Sequence, residues 1–449
     1  MCKINNWMFV AALALLILPS CDYFSLDDPV PVNSTDTQIA IIDRGSTEGA
    51  VAGVYDALQD PTLVFDGYMM SWQLHSDETV FTGTFPTRLE FGNLNVFPSN
   101  GTWAAAFSDF YDVINVANNI VETVPNVESP SLDEPGLREN FIAEARFARA
   151  IAYFYLVQAH GDVPLVLKPT QVTDIVGDIL NVSTTPAAEV MDQVILDFEY
   201  AIDNLSGLSL EASPDGARGF LARIALYQER WADAYDLATQ VLGEGFDLTQ
   251  FDFLDDQVFS LRFNSTDGNS LAFFYGTSNL GGRHSIEPSM KLIDAYTADD
   301  LRAAQTFTFN PSGTPYGLKY DDFSAAVNGQ GDDPVMFIRH AELVLIAAEA
   351  AARQGDFTDA SMWINQVRSR AGLADVTLDA GNFEDLILEE RFLELAMEGG
   401  HRLWDLRRTG RAESVLGGIG YDACDSFWGL PQRDIDRNPN LVQNGCCNC

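Results

Sequence analysis

A chain of 449 residues is long enough to bury a large core, and its 65 acidic against 26 basic residues give a formal net charge of −39. Such a charge repels nucleic-acid phosphates and anionic lipid faces, so nucleic acid is excluded as an expected partner. Near the end, Cys424, Cys446, Cys447 and Cys449 crowd together. Their spacing is too tight for zinc, and they are read as disulfide candidates whose three possible pairings stay open.

In chain order, Lys3 precedes an apolar run from Trp7 to Leu18, too short to cross a bilayer comfortably, and Leu18-Pro19-Ser20-Cys21 follows. Residues 1–20 read as a signal peptide whose removal exposes Cys21. The four residues are similar to a lipobox, which implies that Cys21 is lipidated and is the link to a membrane. Residues 21–45, with Pro29 and Pro31, read as the lipidated tether. From residue 46 to 449 a single domain is expected: a helical part over 46–243, a loop-rich insertion over 244–335, and C-terminal helices with a tail over 336–449.

Within the first part, a helix is predicted over Ser46–Gln59 with Ser46 as its cap. Residues 60–101 lack a period and are rich in aromatics, so they read as a long functional loop. A helix from Thr102 to Val124 follows. Phe141–Pro164 is the organising stretch: Phe141, Ala145, Ala148, Ala152, Tyr155 and Ala159 mark one apolar face, and Phe147, Ile151 and Phe154 mark the other. A helix apolar nearly all round is buried, and its Glu144, Arg146 and Arg149 need partners on neighbouring helices. Residues 163–183 lean towards β structure, and the next helix runs from Thr185-Pro186 to about Leu205.

Two helical hairpins then repeat one another. Superposing Ala234 on Ala360 also lays Ala222 on Ala348, Ala225 on Ala351 and Trp231 on Phe357, a pattern resembling a tetratricopeptide unit. Between them lies the insertion, with a β-like run at Leu271–Tyr275 and a helical piece at Pro288–Tyr296. A last helix covers Phe383–Met397. Arg391, Glu394 and Glu398, with Arg402, Asp405, Arg407 and Arg408, are expected to form one buried ion network.

Four segments carry a wider resemblance. The EARFARAIAYFYLVQAHGDVPL stretch after Ala143, the RHAELVLIAAEAAAR and INQVRSRAG runs between Arg339 and Gly372, EERFLELAMEGGHRLWDLRRTG from Glu389, and LPQRDIDRNPNLVQN from Leu430 to Asn444 are similar, in order, to signatures of the SusD/RagB family. Gly400-His401 stands where the family has a single residue, and the ending departs from the family's Pro-Gly-Tyr. The resemblance implies a mainly α fold: TPR-like helical hairpins in a right-handed scaffold carrying a large loop-rich, irregular ligand-binding face. It also implies a lipid-anchored protein on the extracellular face of the cell outer membrane. Such a protein captures an oligosaccharide or other nutrient and delivers it to a SusC-like TonB-dependent transporter.

Sugars are held by aromatic faces with a few polar groups fixing the hydroxyls. The first candidates are Trp72, Arg88, Trp103 and Tyr296, within a wider set that includes His75, Phe81, Phe85, Phe91, Phe274, Tyr275, Arg283, His284, Tyr316 and Tyr320. No metal-spaced histidine pair, calcium loop, P-loop, Rossmann glycine pattern or nucleophile elbow is present, so no metal, cofactor or catalytic residue is expected. Two other readings compete: a TPR-like scaffold that binds a protein, and a surface glycoside hydrolase. Long aromatic loops speak against the first, and no carboxylate pair is singled out for the second.

Overall fold

The structure, a computed structural model, describes residues 40–170, 182–209, 211–253, 255–264, 266–323 and 331–444. The predicted signal peptide, Cys21, nearly all of the tether, and Cys446, Cys447 and Cys449 lie outside the described residues. Helix α1 (Arg44–Leu58) takes Asp43, not Ser46, as its N-cap. The Asp43 carboxylate accepts from the Ser46 N–H at 2.8 Å, and the Ser46 hydroxyl accepts from the Asp43 N–H at 2.9 Å, a reciprocal capping box.

Residues 60–101 are not the loop that their lack of period suggested. A π-helical segment, Leu63–Met70, runs into the helical turn Ser71–Leu74, then into strand β1 (Thr79–Phe81) and helix α2 (Pro86–Gly92). Every residue from Leu63 to Leu74 is buried. A helix enclosed on all sides needs no polar stripe, so its sequence shows no amphipathic period.

Helix α3 (Gly101–Thr123) packs along α4 (Leu137–His160), and α4 along α5 (Ala187–Asn204). The series continues through α6 (Pro214–Tyr227) and α7 (Trp231–Leu242) to α8 (His340–Arg353) and α9 (Phe357–Arg370). Then α10 (Phe383–Glu394) lies on α8, and α11 (His401–Arg408) on α10. Helix α4 is buried along almost its whole length, and its charges reach neighbouring elements as expected. Arg149 makes two 2.8 Å bonds to Asp197 on α5 and one of 2.6 Å to Asn118 on α3. Glu144 accepts from the Tyr55 hydroxyl of α1 and from the Ala212 N–H at 3.1 Å. Arg146 lies 3.9 Å from Asp197 and 4.1 Å above the Tyr200 ring.

The α6–α7 and α8–α9 hairpins match in register down to their turns. Ala222, Ala225, Ala234, Ala348, Ala351 and Ala360 are all buried, which lets the paired backbones approach. The Arg230 N–H bonds to Ala225 O at 2.9 Å, and the equivalent Asp356 N–H to Ala351 O at 3.0 Å. The left-handed residue that each turn requires is Gly355 in one copy, at φ 86°, and Glu229 in the other, at φ 59°.

The insertion is built from short antiparallel pairs rather than one sheet: β1 with β5 (Ile286–Pro288), β4 (Gln257–Leu261) with β8 (Val335–Arg339), and β6 (Phe307–Phe309) with β7 (Pro315–Gly317). A further pair, β2 (Val163–Pro164) with β3 (Thr184–Thr185), closes the connection after α4. Leu271–Tyr275, expected as a strand, is a short helix; five apolar residues do not distinguish the two by period.

The repeat yields a test. Glu229→Gly removes the strain of a left-handed non-glycine residue and is expected to raise unfolding free energy by up to about 1 kcal/mol, whereas Gly355→Ala lowers it by a similar amount. Urea denaturation of the two variants beside the parent chain measures both.

Candidate ligand-binding face

Three of the four first candidates belong to the core. Trp72 and Trp103 are 1% and 2% exposed. The Trp72 indole N–H donates to Gly67 O at 2.7 Å, and that of Trp103 donates to His160 Nε2 at 2.8 Å. Trp428 fills the space between them, its ring centroid 4.5 Å from Trp72 and 4.4 Å from Trp103, with Phe91 4.9 Å away. No ring face is left on either tryptophan for a ligand. Tyr296 is 9% exposed and donates its hydroxyl to Leu393 O at 2.7 Å. These three candidates are corrected to packing residues. Trp428, the hub of the cluster, was not singled out from the sequence, because its partners are distant in the chain and no local pattern announces the contact.

Arg88 is different. It rises from α2 and is pinned by Asp66 through bonds of 3.2 and 3.1 Å. Burial pushes the Asp66 carboxyl above its ordinary pKa, and Arg88 opposes that shift. The guanidinium carbon sits 4.6 Å from the centroid of Phe65, 4.9 Å from that of Phe274 and 4.9 Å from that of Phe85. Phe65 and Phe274 stack on each other at 4.0 Å. Phe85 is 39% exposed and carries a second guanidinium, Arg283, at 4.5 Å. Among the described residues Arg283 forms no ion pair.

The result is a graded tier that runs from the buried Phe65–Phe274 stack through Arg88 to the exposed Phe85 and Arg283. Two distant segments build it. The β1–β5 pairing and the bond from the Thr82 N–H to Ser285 O, 2.9 Å, hold residues 82–88 against the insertion. Gly83 makes this approach possible: a Cβ there would lie 2.5 Å from the Phe81 ring and 2.9 Å from Ser285. Phe85 adopts an extended conformation before Pro86, which starts α2. Chemically the tier offers an apolar ring face for C–H stacking beside guanidinium donors for hydroxyl groups. Phe65 and Asp66 were missed because they sit inside the aperiodic helical segment.

A cleft of about 540 Å³ lies between the insertion and α10, lined by Phe253, Arg302, Lys319, Tyr320, Leu393 and others. Its floor is an ion junction. Glu394 is 2.5 Å from Arg370, 3.2 Å from Arg339 and 3.4 Å from Arg302. Arg339 also binds Asp256 at 2.9 Å and Glu398 at 2.7 Å, and Lys319 pairs with Glu398. Burial alone would raise the Glu394 pKa, but Arg370, Arg339 and Arg302 outweigh it and hold the group at about 2. A second group links Arg391, Asp405, Arg408 and Glu349. Arg402 leaves the network to bind Asp77 through bonds of 2.7 and 2.8 Å. Arg407, expected in the same network, pairs with no carboxylate among the described residues.

No helix among the described residues is long and apolar enough to cross a membrane, and no three of their His, Cys, Asp or Glu side chains come together as a metal site. Cys424 is disulfide-bonded, and its partner lies outside the described residues.

The sequence and fold can now be set beside known proteins. The SusD family model matches residues 308–423, and a second model, described as starch-binding associating with outer membrane, matches residues 72–226. SusD-like protein P38 of Formosa agariphila is 27% identical over 97% of each chain. A SusD-like protein of Bacteroides ovatus is 25% identical over 69% of this chain and 66% of its own. Among solved structures, a laminarin-binding SusD-like protein superposes with a TM-score of 0.77 at 22% identity, covering 90% of this chain and all of that one. Surface glycan-binding protein A of Bacteroides thetaiotaomicron, in complex with laminarihexaose, gives 0.74 at 19% identity, covering 90% and 99%. The chain belongs to the SusD family.

The aromatic cluster carries its own pH test. His160 donates through Nδ1 to Trp428 O at 2.9 Å and accepts from Trp103 at Nε2, so the neutral ring is the bound form. Burial lowers its pKa from 6.5 to about 4. The unfolded chain therefore takes up the proton first as pH falls. The contribution of His160 is complete above pH 6.5 and is lost as pH falls towards 4. NMR titration should find the His160 ring neutral at pH 5, and His160→Asn should flatten the pH dependence of urea unfolding within that window.

Proposed function

We propose that this protein is a non-catalytic, cell-surface lipoprotein, anchored through Cys21 to the outer membrane. It binds an oligosaccharide and passes it to a partner TonB-dependent transporter of the SusC type. The observation that carries the reading is the exposed tier of Phe85 and Arg283 over Arg88 and the Phe65–Phe274 stack. A partly exposed aromatic ring flanked by guanidinium donors suits the C–H face and hydroxyl groups of a pyranose ring. Arg88 stays in this reading as the support that fixes Phe85, while Trp72, Trp103 and Tyr296 leave it.

The names of two structural neighbours point the same way, one a laminarin-binding protein and one a complex with laminarihexaose. The family description that mentions the outer membrane supports the location. Delivery to a transporter rests on the SusD/RagB resemblance.

Calorimetric titration with a panel of oligosaccharides that includes laminarihexaose provides the test. Phe85→Ala and Arg283→Ala are each expected to weaken binding about tenfold, the loss typical of a central interface side chain. Neither should shift the unfolding midpoint, since both residues are exposed. Undiminished affinity in the double variant would remove the tier from the binding site.

A further inference from the structure

Arg407 contradicts the charge economy of the rest of the molecule. In a chain with 65 carboxylates, the other buried arginines take one or more: Arg149 takes Asp197, Arg223 takes Glu342, Arg391 takes Asp405, and Arg408 takes Glu349. Arg407 has none within ion-pair distance among the described residues. Its Nη1 donates to Gln158 O at 2.9 Å, and its guanidinium lies 4.4 Å from the Phe427 ring. Burial drives its pKa down to about 10, opposed by the Tyr421 and Tyr227 hydroxyls and by no carboxylate.

Beside Arg407 opens a cavity of about 360 Å³, where the C-terminal ends of α4, α6 and α11 meet the Ser426–Phe427 segment. Two more of its lining residues hold unused polar groups: the Tyr227 hydroxyl and the Trp404 indole N–H are buried without a partner among the described residues. Trp404 is only 2% exposed. The nearby carboxylates are committed elsewhere: Asp405 to Arg391 and Arg408, Glu349 to Arg408, and Asp162 to the Ala187 N–H at 2.8 Å. Donors without acceptors, beside a guanidinium that only helix-end carbonyls offset, form the complement of an anion.

We propose that the Arg407 cavity is a site for a small oxyanion, a carboxylate or sulfate group, either free or borne by a sugar. The Nε and Nη2 donors of Arg407, which bond no acceptor among the described residues, receive two of its oxygens, and the Tyr227 hydroxyl supplies a further donor. The site shares no residue with the Phe85 tier and does not depend on it.

Calorimetric titration of the whole protein with sodium sulfate, sodium acetate, sodium glucuronate and glucose, at constant ionic strength, tests this. Saturable binding of sulfate, acetate or glucuronate, with none for glucose, is expected. Arg407→Met should weaken anion binding at least tenfold, and Tyr227→Phe several-fold with no change of charge. Without anion, Arg407→Met should unfold no earlier than the parent chain, because it deletes a half-buried charge that pairs with no carboxylate among the described residues. Glucuronate binding more tightly than acetate identifies a sugar-borne group, and equal affinities identify a free anion. Absence of saturable binding by all three anions, or affinity unaltered in both variants, overturns the proposal.

Discussion

Glu394 is the point on which the two halves of the molecule depend. It stands at the end of α10 and is 1% exposed, and it meets Arg370 from the last hairpin, Arg339 from β8 and Arg302 from the insertion. Any one of these cations buried alone would cost several kcal/mol, and so would the carboxylate. Together they neutralise one another and fix the angle between an irregular insertion and a regular helical stack. Loops that carry a binding face gain precision from such a fixed base, because their own backbone contributes little stiffness.

Above that base the division of labour is clear. Helix pairs lined with alanine approach closely and form the scaffold, while short strand pairs draw distant segments together at its edge. The Phe85 tier exists only because β1, early in the chain, pairs with β5 in the insertion. Neither segment alone presents an aromatic face with two guanidiniums. The Ser76-Asp77-Glu78 run next to β1 reinforces the join: Asp77 grips Arg402, and Glu78 accepts the Met397 N–H at 3.1 Å.

The scaffold was legible in the sequence because it is periodic. The alanine register predicted the paired hairpins, and even their turns agree, with Glu229 standing where Gly355 stands in the other copy. The burial of α4 and the bridging of its three charges were legible for the same reason. The segment from Leu63 to Leu74 was not, since enclosure erases the very pattern that marks a helix. Site residues fared worst. Large rings are as useful inside a core as on a ligand face, and composition does not separate Trp72 from Phe85. What separates them is the arrival of Trp428, a long-range contact that no local rule encodes. Arg407 is the reverse case: its neighbours in the motif found carboxylates, and only the folded geometry shows that it meets none among the described residues.

Trp428 has a consequence for how the molecule is made. Its backbone N–H is held by Ala159 O at 2.7 Å, and its ring closes the gap between Trp72 and Trp103. The keystone thus leaves the ribosome long after the arch it locks, since Trp428 follows Trp72 and Trp103 by most of the helical scaffold. A nascent polypeptide has no finished interior to defend until Trp428 has been made. Truncation ahead of Trp428 therefore unseats the middle of the molecule, not its periphery.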